Sequence, residues 1–207
     1  MPDIKVYLIT DRTIFCDSEK LLAAVGHALE AGVKAVQLRE KDLGTRDLLE
    51  LAGRFRELTI RHGAALFVND RLDIALAVGA DGLHLGQTGI PVEVARKIAG
   101  DKLKIGCSTH SFEEADEAEK QGADYITFGP VFETASKMMY GKPLGLDALR
   151  GVCGKIKIPV FGIGGIKKDN VSGVLNSGAA GVALISGILA ESDRAAAASE
   201  YLKRTGE

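Results

Sequence analysis

Eight short apolar runs punctuate the chain, at residues 6–9, 35–38, 65–68, 82–85, 103–105, 125–128, 160–163 and 182–185. Most are rich in Val, Ile, Leu and Phe and lack polar alternation, which predicts parallel strands buried on both faces. Between most of them the apolar positions fall at helical spacing, over 18–30, 47–62, 92–98, 111–120, 146–152 and 168–176. Strand–helix alternation of this kind predicts a parallel sheet. Four junctions resemble one another: Ala31-Gly32-Val33-Lys34-Ala35-Val36, Val78-Gly79-Ala80-Asp81-Gly82-Leu83, Gln121-Gly122-Ala123-Asp124-Tyr125-Ile126 and Ser177-Gly178-Ala179-Ala180-Gly181-Val182. Each ends a helix with Gly and enters a strand, ahead of strands 2, 4, 6 and 8. A repeat of paired βα units predicts a closed (β/α)8 TIM barrel, one domain over residues 1–207. An open doubly wound sheet would need fewer strands and a switch point.

Composition narrows the function classes. A formal charge of −2, with Lys and Arg scattered, gives no electrostatic footprint for nucleic acid. Aromatics at 5% and the absence of Trp argue against platforms for stacking bases. Cys16, Cys107 and Cys153 show no CxxC spacing, so neither a disulfide framework nor a structural zinc site is expected, and a cytoplasmic location is. Met1-Pro2-Asp3-Ile4-Lys5 runs into the first strand without a basic leader, and no apolar run is long enough to span a bilayer. The expected partners are small molecules, with neither nucleic acid nor membrane. A homo-oligomer is compatible with the sequence.

Polar residues and glycines gather where strands end, which is where barrel enzymes build their sites. Gln37, Arg39 and Lys41 alternate with Leu38 and Glu40, so an extended strand would present all three on one side. An amide, a guanidinium and an ammonium converging there suit a polyanion. The alternative is an ion-pair layer with Glu40 and Asp70. Gly162-Ile163-Gly164-Gly165 after strand 7, and Ser186-Gly187 opening the helix after strand 8, occupy the usual place of a barrel phosphate site. Asp70, after Asn69, is a candidate Mg²⁺ ligand or a helix cap. His84 and His110 are candidate acid–base groups, and His84 equally suits a satisfied residue inside the barrel. Cys107 on a strand reads as packing rather than as a nucleophile.

These segments resemble the thiamine-phosphate synthase and TenI family over nearly the whole chain. The resemblance is carried by Tyr7-Leu8-Ile9-Thr10-Asp11, Val36-Gln37-Leu38-Arg39-Glu40-Lys41, Val68-Asn69-Asp70, Gly82-Leu83-His84-Leu85-Gly86-Gln87 and Gly106-Cys107-Ser108-Thr109-His110. It continues through Phe128-Gly129-Pro130-Val131-Phe132, Thr134-Ala135-Ser136-Lys137, Gly162-Ile163-Gly164-Gly165-Ile166 and Ile185-Ser186. The resemblance implies the (β/α)8 fold and a synthase that joins hydroxymethylpyrimidine diphosphate to a thiazole phosphate, releasing pyrophosphate. It implies that Gln37, Leu38, Arg39, Glu40, Lys41, Asn69, Ser108 and Lys137 hold the pyrimidine diphosphate, and that Asp70 ligates Mg²⁺. Thr134, Ala135, Ser136, Gly165, Ile185 and Ser186 would hold the thiazole phosphate. Arg39, Lys137, Ser108 and His110 form the expected catalytic set.

One position departs from the synthase pattern. A second metal carboxylate stands shortly after the His-x-Gly-Gln stretch in the family, and here the aligned residue is Gly89, in Gln87-Thr88-Gly89-Ile90-Pro91. The stretch from His110 through Lys120, and Val131-Phe132-Glu133-Thr134, are closer to TenI. That branch is a thiazole tautomerase, an isomerase that works without Mg²⁺ and would use His110 as acid–base residue. Gln37, Arg39, Lys41, Asn69 and Asp70 favour the synthase. A non-catalytic barrel that binds phosphates of the same pathway is a third reading.

Overall fold

The structure, a computed structural model, describes residues 4–134 and 142–206. Eight parallel strands pair in chain order and close on themselves: β1 (Val6–Ile9), β2 (Ala35–Leu38), β3 (Ala65–Asn69), β4 (Gly82–Leu85), β5 (Lys104–Thr109), β6 (Tyr125–Phe128), β7 (Val160–Ile163) and β8 (Gly181–Leu184). The ring is completed by β1 against β8, with Val6 opposite Val182. The helices are α1 (Ser18–Glu30), α2 (Thr45–Arg61), α3 (Leu72–Ala77), α4 (Val92–Ala99), α5 (Phe112–Lys120), α6 (Gly145–Cys153), α7 (Val171–Asn176), α8 (Ser186–Leu189) and α9 (Arg194–Thr205). This is the closed (β/α)8 barrel that the runs predict. The four glycines that end helices before even-numbered strands, Gly32, Gly79, Gly122 and Gly178, all take positive φ, the conformation that recommends glycine there.

Strand residues alternate between two cores. Val6, Leu8, Val36, Leu38, Leu66, Val68, Leu83, Ile105, Ile126 and Val182 face the helices. Tyr7, Ile9, Ala35, Phe67, Tyr125, Phe161 and Ala183 fill the barrel interior. Four aromatic rings share that interior, with Tyr7, Phe67 and Tyr125 meeting edge to face at centroid distances of 5.3–5.7 Å. Two glycines make this possible. A Cβ on Gly82 would lie 2.3 Å from the Phe67 ring, and one on Gly106 would lie 2.1 Å from Tyr125 Cζ.

Three expectations need correction. The strand carrying the Gln37-Arg39-Lys41 triplet ends at Leu38, so strand alternation does not set out all three together. Gln37 alone lies on it, pointing into the barrel, whereas Leu38 packs in the layer beneath the helices. The chain also holds α3 and α9, which hydrophobic spacing does not predict. Six residues are too few for α3 to show a period. α9 is an alanine-rich segment with few large apolar side chains, started by Asp193 accepting from Ala196 N at 2.9 Å. Finally, β5 extends to Thr109, so Ser108 lies on a strand and points inward opposite Thr127.

Candidate active site

The loops after β1 and β2 are braced by Glu40. Its carboxylate accepts from Thr10 Oγ1 and, at 2.8 Å, from Arg12 N, while Arg39 N donates to the same Thr10 oxygen at 2.9 Å. Burial raises the Glu40 pKa, and the Thr10 hydrogen bond offsets part of that. Glu40 is therefore bound to the neighbouring loop and is not the counterion of Arg39 or Lys41. Asp42 pairs with Arg12. Arg39 and Lys41 carry no side-chain hydrogen bond or ion pair among the described residues, so the ion-pair layer foreseen as an alternative does not form there.

Asp70 follows β3 with φ +57, a left-handed conformation that few non-glycine residues adopt. The next residue, Arg71, takes the N-cap position of α3, so Asp70 is not a helix cap. Its Oδ1 accepts from Gly86 N at 2.7 Å, and Oδ2 accepts from Asn69 Nδ2 at 2.8 Å. A cleft of about 220 Å³ opens beside it, lined by Lys41, Asn69, Asp70 and Arg71 among others. Gly89 lies against this carboxylate. A Cβ there would fall 2.8 Å from Asp70 Oδ1 and 3.2 Å from Gly86 O. A side chain at position 89 thus requires the Asp70 carboxylate to shift or the loop to give by a few tenths of an ångström. No cluster of three His, Cys, Asp or Glu side chains forms a ready metal site among the described residues. The donors present do fit Mg²⁺ in its usual enzymatic form, held by one protein carboxylate with phosphate oxygens and water completing the shell.

On the neighbouring strands β4 and β5, Ser108 Oγ lies 2.9 Å from His84 Nε2, and His84 Nδ1 lies 3.1 Å from Tyr125 Oη. His84 is thus the satisfied interior histidine, yet it touches a predicted site residue. His110, just past β5, is tied to Glu114: its N–H donates at 2.6 Å and its Nδ1 lies 3.2 Å from the same oxygen. Ser111 caps α5, accepting from Glu114 N. Cys107 is packing as expected, with its thiol pushed up to about 11 by burial.

The β6 and β7 loops run side by side. Val131 N donates to Ile163 O at 2.9 Å and Phe132 N to Gly164 O at 3.0 Å. Gly165 has φ +64, and a Cβ there would sit 2.4 Å from Glu133 O, so only glycine lets Thr134's segment approach. Tyr201 of α9 braces the loop after β7, its hydroxyl donating to Ile166 O at 3.4 Å. Ile185 and Ser186 open α8 after β8. Ala135, Ser136 and Lys137 lie outside the described residues.

The structure thus gathers Lys41, Asn69 and Asp70 at one cleft, joins Gln37 to Ser108 through interior side chains, and sets Gly165 beside the segment leading to Thr134. Tyr7, Tyr125, Thr10 and Glu114 were not foreseen as site residues. The available signal was the presence of two tyrosines on otherwise apolar strands, because a buried hydroxyl needs a partner.

A closed barrel with cations that lack a partner among the described residues, a strained carboxylate and glycine turns at the C-terminal ends of its strands defines a (β/α)8 enzyme acting on anionic small molecules. The chain belongs to the thiamine monophosphate synthase family, whose model matches residues 6–188, and with it to the transferases of thiamine biosynthesis. It is 48% identical over 198 residues to thiamine-phosphate synthase of Moorella thermoacetica, covering 96% of this chain and 94% of that one. To thiamine-phosphate synthase of Clostridium novyi it is 47% identical over 189 residues, covering 91% and 92%. The solved structure of thiamine phosphate pyrophosphorylase from Pyrococcus furiosus superposes with a TM-score of 0.89 at 43% identity, over 98% of this chain and 96% of that one. No helix among the described residues is long and apolar enough to cross a membrane.

Proposed function

We propose that the protein couples hydroxymethylpyrimidine diphosphate to a thiazole phosphate, forming thiamine phosphate and pyrophosphate. The observation that carries this reading is the rim between β2 and β3. There Lys41 and the Asp70 carboxylate line one cleft, and neither Arg39 nor Lys41 has an internal counterion among the described residues. That combination suits a diphosphate that arrives with a divalent cation.

Asp70, fixed by Gly86 N and Asn69, would hold Mg²⁺. When bound, the ion supplies charge neutralisation on the diphosphate. Arg39 and Lys41 stabilise the same oxygens as negative charge grows on them. The bond from the pyrimidine methylene carbon to the diphosphate oxygen breaks, and its electron pair leaves with pyrophosphate. The lone pair of the thiazole nitrogen then forms the new C–N bond to the ring-stabilised methylene cation. No protein nucleophile enters, consistent with the high pKa of the Cys107 thiol. Gln37 and Ser108 face the pyrimidine, while Gly165, Ile185, Ser186 and Thr134 frame the thiazole phosphate. The family resemblance assigns Lys137 to the pyrimidine diphosphate, and Ala135 and Ser136 to the thiazole phosphate. The partners are small molecules and the location is cytoplasmic.

Two enzymes of the family are told apart by His110. In the synthase it assists no obligatory proton transfer, so His110→Ala is expected to lower the coupling rate by less than about tenfold. In a tautomerase its loss as acid–base residue would lower turnover by about 10²–10⁴-fold. Steady-state assays of the variant with both substrate sets give the answer, and a fall in coupling of about 10²-fold or more contradicts the mechanism.

A further inference from the structure

We propose that Tyr7, Tyr125 and His84 form a directional hydrogen-bond chain through the barrel that sets how the Gln37 amide and the Ser108 hydroxyl face a ligand. The chain has no gap. Gln37 Nε2 donates to Tyr7 Oη at 3.0 Å, Tyr7 Oη lies 2.9 Å from Tyr125 Oη, and Tyr125 Oη lies 3.1 Å from His84 Nδ1. His84 Nε2 lies 2.9 Å from Ser108 Oγ. These four links join five strands, β2 to β1, β6, β4 and β5 in turn, across residues as far apart as 118 positions.

Proton counting fixes the direction. The Gln37 nitrogen can only donate, so the single Tyr7 proton must go on to Tyr125, and the Tyr125 proton to His84 Nδ1. His84 then carries its own proton on Nε2 and gives it to Ser108 Oγ. Thr127 Oγ1 also donates to that oxygen, at 3.5 Å. The Ser108 proton is left for an acceptor at the barrel mouth. Reversing any one link would leave a buried hydroxyl without an acceptor, so the whole chain reverses together or not at all. The rings cannot swing out of line, since Phe67 and Phe161 pack on both tyrosines. Both tyrosine hydroxyls are raised in pKa by burial and stay neutral.

The consequence is specificity, and it rests on the synthase reading above. With one amide proton held by Tyr7, Gln37 presents its carbonyl oxygen and one remaining N–H. That acceptor–donor edge complements an amino group beside a ring nitrogen, the pattern of an aminopyrimidine. Tyr7, Tyr125 and His84 are positioning residues, because they act through Gln37 and Ser108.

The test is ¹⁵N NMR of histidine-labelled protein with parallel kinetics. His84, assigned through His84→Gln, is expected with Nε2 protonated and Nδ1 bare. Tyr7→Phe removes one hydroxyl that His84 does not touch, yet it is expected to move the His84 nitrogen signals. It should also raise KM for the pyrimidine diphosphate about tenfold, with kcat falling less than threefold. Tyr125→Phe, breaking the chain elsewhere, should do the same. Phe161→Leu, which alters packing but no hydrogen bond, should leave the His84 signals in place. The proposal is overturned if His84 is found protonated on Nδ1. It is equally overturned if both tyrosine variants keep the His84 signals and the pyrimidine KM unchanged. Signals that move as expected in a protein that binds no pyrimidine would support the chain and contradict the synthase reading.

Discussion

Asp70→Asn lowers thiamine phosphate formation by about 10²–10³-fold, the expected loss when a group acting on developing charge is removed. Asparagine is the informative replacement. It tolerates the left-handed backbone at φ +57 and keeps the side-chain shape, so the rim loop stays in place. It removes the charge and one of the two oxygens that accept from Gly86 N and Asn69 Nδ2. The fold should survive with a drop of a few degrees in Tm. Steady-state rates over a Mg²⁺ titration check the claim, and the variant is expected to need far more Mg²⁺ than the parent. Unchanged activity in a well-folded variant would remove Asp70 from the metal site.

Gly106→Ala is expected to lower stability strongly. The added Cβ would sit 2.1 Å from Tyr125 Cζ, in an interior where Phe67, Tyr7 and Phe161 already surround that ring. Tyr125 has no direction in which to yield, and moving it would break its hydrogen bonds to Tyr7 and His84. Overpacking of this kind costs about 3 kcal/mol, which lowers Tm by about 6–12 °C in a domain of this size. Thermal or denaturant unfolding measures it. A change of less than about 2 °C would mean that the barrel interior is looser than its ring contacts indicate.

Which features the sequence reveals follows from how local their causes are. The eight strands are legible because each is covered on both faces, so Val6-Tyr7-Leu8-Ile9 or Tyr125-Ile126-Thr127-Phe128 carries its burial in consecutive residues. The repeat is legible because four helix ends need the same glycine conformation. The rim position of Asn69-Asp70 follows from the end of an apolar run. What escapes is set by contacts remote in sequence. Glu40 is an anionic residue in a cationic stretch, and only the fold shows Thr10 and Arg12 holding it, 28–30 positions away. Tyr7 and Tyr125 read as core residues, and they are, but their hydroxyls matter only once β1 and β6 face each other across the barrel. Gly89 is visible as a missing carboxylate, whereas its packing against Asp70 is visible only in space.

The central claim is tested most directly by one incubation of the purified protein with hydroxymethylpyrimidine diphosphate, thiazole phosphate and Mg²⁺. Thiamine phosphate and pyrophosphate are followed together, with and without EDTA. The account predicts both products in equal amounts and a halt when the metal is chelated. Coupling that continues undiminished in EDTA, or no thiamine phosphate while a thiazole carboxylate phosphate is isomerised, would contradict it.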